Sequence, residues 1–177
     1  MGTGCGYRSL GSPSEGEASG AARATVAVVA LRNDSPEPWL DRVVTDALRR
    51  ELGLRGAIRL ASDPKGADYV LRGRVLPLGI RSNSFSSFVV ALEYQVTLRL
   101  ELEVLRKEGD VIRLPSRALS ESDVYLASQD IEVTRTNRLE ALRHLSDVLA
   151  TRVADRMEWM AEPRSVPQAE SAKATDG

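Results

Sequence analysis

From Leu92 to Val104 the chain alternates strictly. Leu92, Tyr94, Val96, Leu98, Leu100, Leu102 and Val104 are apolar, and Glu93, Gln95, Thr97, Arg99, Glu101 and Glu103 between them are polar. A period of two sends successive side chains to opposite faces of a strand, so this stretch predicts one long strand with one face buried and the other open. Upstream, ATVAVVAL (24–31) is a β-branched apolar run bounded by RNDSPEP, which suits a strand covered on both faces. ADYVLRGRVLPLGI (67–80) predicts a second strand, bent or at an edge near Pro77 because proline donates nothing to a ladder. After the long strand, KEGD (107–110) predicts a hairpin turn. It leads to a fourth strand through VIRLPSRALSESDVY, interrupted by Pro115 and antiparallel to the third.

Two segments carry helical spacing instead. In NDSPEPWLDRVVTDALRRELG, Leu40, Val43, Val44, Ala47, Leu48 and Leu52 form one stripe. Ser35 is the candidate N-cap, Pro36 the first helical residue, and Gly53 or Gly56 the stop. In TNRLEALRHLSDVLATRVADRMEWM, Leu139, Leu142, Leu145, Val148, Leu149, Val153 and Met157 predict a long amphipathic helix with a basic solvent face. The order β-α-β-β-β-α predicts an α+β two-layer sandwich: a four-stranded mixed sheet with two helices packed on one face and a polar face left for solvent or a partner.

The ends read differently. SLGSPSEGEASGAA (9–22) is small, polar and glycine-rich, the composition of a flexible tether, and AEPRSVPQAESAKATDG (161–177) predicts a disordered tail. The organisation expected is therefore a tether over residues 1–22, a sandwich domain over 23–160 and a tail over 161–177.

Composition narrows the chemistry. The 24 basic and 25 acidic residues of 177 nearly cancel, so no global field draws nucleic acid and any anion site must be local. No apolar run is long enough for a helical membrane span. One cysteine excludes an internal disulfide framework, and the single histidine, His144, has no cysteine or histidine neighbour with which to hold zinc or activate a thiol. Gly2, Gly4 and Gly6 resemble a phosphate-binding loop only superficially, because no strand precedes them. His144 reads as a surface histidine, and Ser120, Ser122 and Asp123 in SESD read as polar residues at a strand end rather than a nucleophile set. No catalytic residue, metal ligand or cofactor is implied.

Two groups are candidates for binding. Arg72, Arg74, Arg99, Arg113 and Arg117 fall in the strand segments, where they line the open face for phosphate oxygens or pair across strands with Glu93, Glu101, Glu103 and Glu121. Phe85 and Phe88, the only phenylalanines, lie in SNSFSSF between two strands and either fold onto the core or anchor in a partner or lipid.

Four stretches in order resemble the LPS-assembly lipoprotein family (LptE): CGYRSLG (5–11); VAVVALRNDSPEPWLDRVVTDALRRELGLRG (26–56); DPKGADYVLRGRV (63–75), with its Ala-Asp-x-x-Leu-x-Gly strand; and LEYQVTLRLELEV (92–104). The resemblance covers Cys5 to about Met160. It implies that Cys5 is the first mature residue and carries lipid, with a signal peptide absent from this sequence; acyl chains would then hold the domain at a bilayer surface. It further implies a non-enzymatic outer-membrane lipoprotein on the periplasmic face. Such a protein plugs a large LPS-assembly β-barrel (LptD-type), assists its folding, and helps lipopolysaccharide reach the outer leaflet. The β-α-β opening with ADYVLRG is also similar to periplasmic activators of peptidoglycan synthases and to curli-secretion lipoproteins, so the alternative reading is a lipoprotein regulator of peptidoglycan synthesis or a secretion-pore lipoprotein of similar fold.

Overall fold

The computed structural model describes residues 23–82 and 92–162. Cys5, Phe85 and Phe88, the tether and most of the tail lie outside the described residues. The chain forms β1 (Ala24–Val28), β2 (Arg32–Asn33), α1 (Leu40–Gly53), β3 (Ile58–Ala61), β4 (Tyr69–Val75), β5 (Gly79–Ser82), β6 (Leu92–Arg106), β7 (Val111–Arg113), a 3-10 turn (Ser116–Leu119), β8 (Ser120–Ala127) and α2 (Ile131–Ala161).

The α+β sandwich stands, but the sheet has eight strands rather than four. Two of the four anticipated strands are each split in two, β4 from β5 at Leu76-Pro77-Leu78 and β7 from β8 at the Pro115 turn, and β2 is a two-residue strand just beyond the anticipated 24–31 run. The eighth strand, β3, is a four-residue segment whose burial pattern has a single buried residue, Ile58, and it carries no periodicity of its own. It pairs parallel to β1, which in turn pairs parallel to β4. All pairing with β6 is antiparallel: β4 and β5 lie along one edge, β7 and β8 along the other.

β6 organises the core. Val96, Leu98, Leu100, Leu102 and Val104 are all buried, and they pack with the apolar stripes of α1 (Leu40, Val44, Leu48, Leu52) and α2 (Leu142, Leu145, Leu149, Val153, Met157) in one cluster. Both helices therefore lie on one sheet face. They run side by side, linked by Arg50–Asp147 at 2.5 Å, with Glu37 just before α1 bound to Arg138 at 2.5 Å and Arg55 just after it bound to Asp155 at 2.7 Å.

Both helix starts differ from expectation. α1 begins at Leu40, not at Pro36, because Asn33 Oδ1 accepts from the Ser35 backbone N–H (2.9 Å) and hydroxyl (2.7 Å), winding Ser35 into a turn ahead of the helix. α2 begins at Ile131, where Asp130 caps it by accepting from the Glu132 backbone N–H at 2.9 Å. The solvent side of α2 is mixed rather than basic: Arg135, Arg143, Arg152 and Arg156 alternate with Glu132, Glu140, Asp147 and Asp155, all exposed.

The Ala-Asp-x-x-Leu-x-Gly segment has a physical reason at each defined position. Ala67 and Leu71 are buried. Asp68 Oδ2 accepts from both the backbone N–H (2.8 Å) and the hydroxyl (2.6 Å) of Thr25, whose hydroxyl oxygen accepts from the Asp68 backbone N–H (3.0 Å), so the starts of β1 and β4 are clipped together. These Thr25 bonds, assisted by the charges of Lys107 and Arg59, hold the Asp68 carboxyl below its ordinary value. Gly73 sits where β4 closes on β6: a Cβ there would meet Glu101 O at 2.1 Å and Leu102 Cα at 2.9 Å.

Gly73→Ala is expected to lower stability by about 2–4 kcal/mol, because backbone rather than a yielding side chain must move; urea unfolding measures it. The Asp68 clip is fully present above the unfolded carboxylate pKa and fades as pH falls through the lowered folded value. Wild-type protein should therefore lose stability below about pH 4, and Thr25→Val should show a shallower acid slope across that window in urea titrations at stepped pH.

Candidate functional site

The open sheet face holds a groove of about 780 Å³, lined in part by Arg32, Arg72, Arg74, Arg113, Glu101 and Glu103. Register sets these side chains in two rows: Arg32–Arg74–Glu101 across β2, β4 and β6, and Arg72–Glu103–Arg113 across β4, β6 and β7. Within the rows, Arg72 Nε donates to Glu103 at 2.6 Å. Arg74 donates to Glu101 through Nη2 at 2.7 Å and Nε at 3.0 Å, and reaches Asp34 at 3.4 Å. The hydrogen bond to Glu101, then its charge, push the Arg74 guanidinium above its ordinary value. Among the described residues neither Arg32 nor Arg113 forms an ion pair, and both are exposed. The groove thus contains two guanidinium groups held in place by carboxylates and two without one. Free, forked donors beside ordered ones suit an anionic group with several oxygens.

The five arginines singled out by the sequence are not equivalent. Arg72, Arg74 and Arg113 meet in the groove. Arg99 stands on the same face, outside the groove lining, and donates to the Pro77 carbonyl at 3.3 Å. Arg117 is not in a strand: it lies on the 3-10 turn between β7 and β8, exposed and outside the lining. Glu121, expected to pair with an arginine across the sheet, faces α2 and binds Arg152. Arg32 was not anticipated; its signal is the RN pair immediately after an apolar run, where the strand resumes for two residues.

His144 has a partner that the sequence did not reveal, Asp123 Oδ2 at 2.9 Å from Nδ1. Asp123 faces α2, while Ser122 hydrogen-bonds Thr97 at 2.8 Å on the opposite side of the sheet. The fold thus separates the serine from the His–Asp pair. Among the described residues no three acidic, histidine or cysteine side chains cluster as metal ligands, and no helix is long and apolar enough to cross a membrane.

A family model for LptE, described as lipopolysaccharide-assembly, matches residues 23–157. The chain belongs to the LptE family. It is therefore a lipopolysaccharide-assembly lipoprotein of the cell envelope, in a family that is not catalytic. The match spans every element from β1 to most of α2. No curated protein matches the sequence. Among solved structures the LptE-family domain is similar to an uncharacterized lipoprotein B from Nitrosomonas europaea, at 12% identity, with 89% of this chain and 92% of that one covered and a TM-score of 0.51. Two further similar structures are a minor lipoprotein from Acinetobacter baumannii (17% identity, 78% and 95% covered, TM-score 0.48) and the rare lipoprotein B from Shewanella oneidensis (15%, 76% and 95%, TM-score 0.46). At such identities likeness speaks to fold alone.

Because Arg32 and Arg113 carry no ion pair, the double change Arg32→Glu, Arg113→Glu should alter stability by less than about 0.5 kcal/mol per site, read by urea denaturation.

Proposed function

We propose that this LptE-family protein is an outer-membrane lipoprotein, anchored through Cys5 at the end of the 1–22 segment, whose 23–160 domain plugs an LptD-type barrel and assists lipopolysaccharide delivery to the outer leaflet. The family match over residues 23–157 carries this reading. The groove supports it physically: arginines ordered by Glu101 and Glu103 beside unpaired Arg32 and Arg113 suit either the polar lumen of a large barrel or the phosphates of lipopolysaccharide. Arg99, Arg117, Phe85 and Phe88 are held as secondary contacts in the same reading. Lipidation would supply attachment without a membrane-spanning helix, since buried acyl methylenes add free energy chain by chain.

Affinity purification of the signal-peptide-bearing precursor from detergent-solubilised outer membrane should bring down a stoichiometric large β-barrel. A peptidoglycan synthase or a homo-oligomeric ring in its place would replace this reading with a regulatory or secretion role. Labelled lipopolysaccharide should bind the wild type and bind Arg32→Glu, Arg113→Glu at least about tenfold more weakly at low salt; equal binding would make the groove arginines structural.

A further inference from the structure

A second cationic cleft lies in the helix layer, away from the sheet groove. It has a volume of about 240 Å³, with Trp39, Val43 and Leu139 as an apolar floor and Arg135, Arg138 and Arg143 around it. All three floor residues are half-buried. Glu37 is the one acid in the lining and is already bound to Arg138 at 2.5 Å, while nearby Asp147 is held by Arg50. Glu132 and Glu140 stand on the exposed side of α2 but do not line the cleft. Arg135 and Arg143 are exposed and form no ion pair among the described residues. The cleft is therefore apolar at its centre and carries at each end an arginine outside any ion pair among the described residues.

The spacing of those ends is specific. Arg135, Leu139 and Arg143 follow one another at intervals of four along α2, so the Cα atoms of the two arginines lie about 12 Å apart along the axis with Leu139 between them. In an extended segment, residues i, i+2 and i+4 share one face and span about 13 Å. An acid at i, an apolar side chain at i+2 and an acid at i+4 thus match arginine, leucine and arginine in turn. We propose that this cleft docks an extended acidic protein segment of the form acid-x-apolar-x-acid, its apolar side chain against Trp39 and Leu139 and its carboxylates on Arg135 and Arg143. A second contact surface on the opposite layer leaves the sheet groove free, so one domain can hold a protein segment and an anion at once. A lipid phosphate is the less suitable occupant, because the charges come as a separated pair flanking a small apolar floor rather than as one cluster.

Fluorescein-labelled Gly-Ser-Glu-Ser-X-Ser-Glu-Ser-Gly peptides, with X as Leu, Phe or Trp, test this by anisotropy against the full chain at low salt. At least one peptide should bind saturably with a dissociation constant on the order of 100 µM. Arg135→Gln with Arg143→Gln should weaken it about tenfold, as should replacing both peptide Glu residues by Gln, with an unchanged melting curve excluding misfolding. Arg32→Glu, Arg113→Glu protein should bind the peptide as the wild type does; its loss there would assign binding to the sheet groove and overturn the proposal. Absence of saturation for all three peptides up to about 1 mM would also overturn it. So would equal binding of the Gln peptides, or binding of phosphatidylglycerol vesicles through Arg135 and Arg143 with no peptide binding.

Discussion

The structure depends on the uninterrupted alternation of β6. Its 15 residues span roughly 50 Å, and four other strands take their register from it. A slip of one residue would carry Val96, Leu98, Leu100, Leu102 and Val104 to the open face and put Glu101 and Glu103 beneath the helices. That exchange would strip the core of its central row and bury carboxylates without partners, so the register has no near competitor. The groove inherits this precision: Glu101 and Glu103 stand opposite Arg74 and Arg72 because the leucines between them are locked under α1 and α2.

Around that fixed strand the neighbouring lanes are irregular, and their irregularities decide which residues reach the groove. From Val28↔Leu71 to Arg32↔Arg74, the β1–β2 lane takes four steps against three on β4. From Val75↔Leu100 to Gly79↔Thr97, the β4–β5 lane takes four against three on β6. From Arg113↔Glu103 to Ser120↔Arg99, the β7–β8 lane takes seven against four. Each excess is odd, and an odd excess in a structure of period two exchanges the faces. This is why Arg32 reaches the open face beside Arg74. It is also why Glu121 and Asp123 turn inward to Arg152 and His144.

The legibility of the sequence follows from the same distinction. Wherever alternation or helical spacing runs unbroken, as in β6, α1 and the body of α2, the layer, the face and most core residues could be read directly, although Val43, Leu139 and Val148 at the edges of the helical stripes are only half-buried, and Arg72, Arg74 and Arg113 were placed on the correct face. Across Pro77 and Pro115 the pattern told that the strand was interrupted but not by how many residues, so the facing of Glu121 and the position of Arg117 went astray. β3 was missed because four residues with a single buried side chain, Ile58, make no period; its partner β1 and the end of α1 define it, with the Leu60 side chain packing against Gly53. Asn33 displaced the start of α1 through side-chain bonds to Ser35, a local competition that propensity alone does not rank.

Near-neutral net charge is compatible with strongly cationic local surfaces when acids are consumed in pairs. Glu101, Glu103 and Asp34 are held by arginines on the sheet, and Glu37 and Asp147 by arginines on the helices. Among the described residues this leaves arginines outside any ion pair at each opening, Arg32 and Arg113 in the groove and Arg135 and Arg143 at the cleft, while the exposed acids Glu132 and Glu140 stand outside the cleft lining. The exposed pairs among these add little to stability, so their consequence lies in organisation. They fix some guanidinium groups in place, neutralise the acids that would repel an anionic ligand, and leave the remaining donors to be satisfied from outside. A chain that carries 24 basic residues against 25 acidic ones thereby presents two separate positive clefts without the self-repulsion or indiscriminate anion binding that a high overall charge would bring.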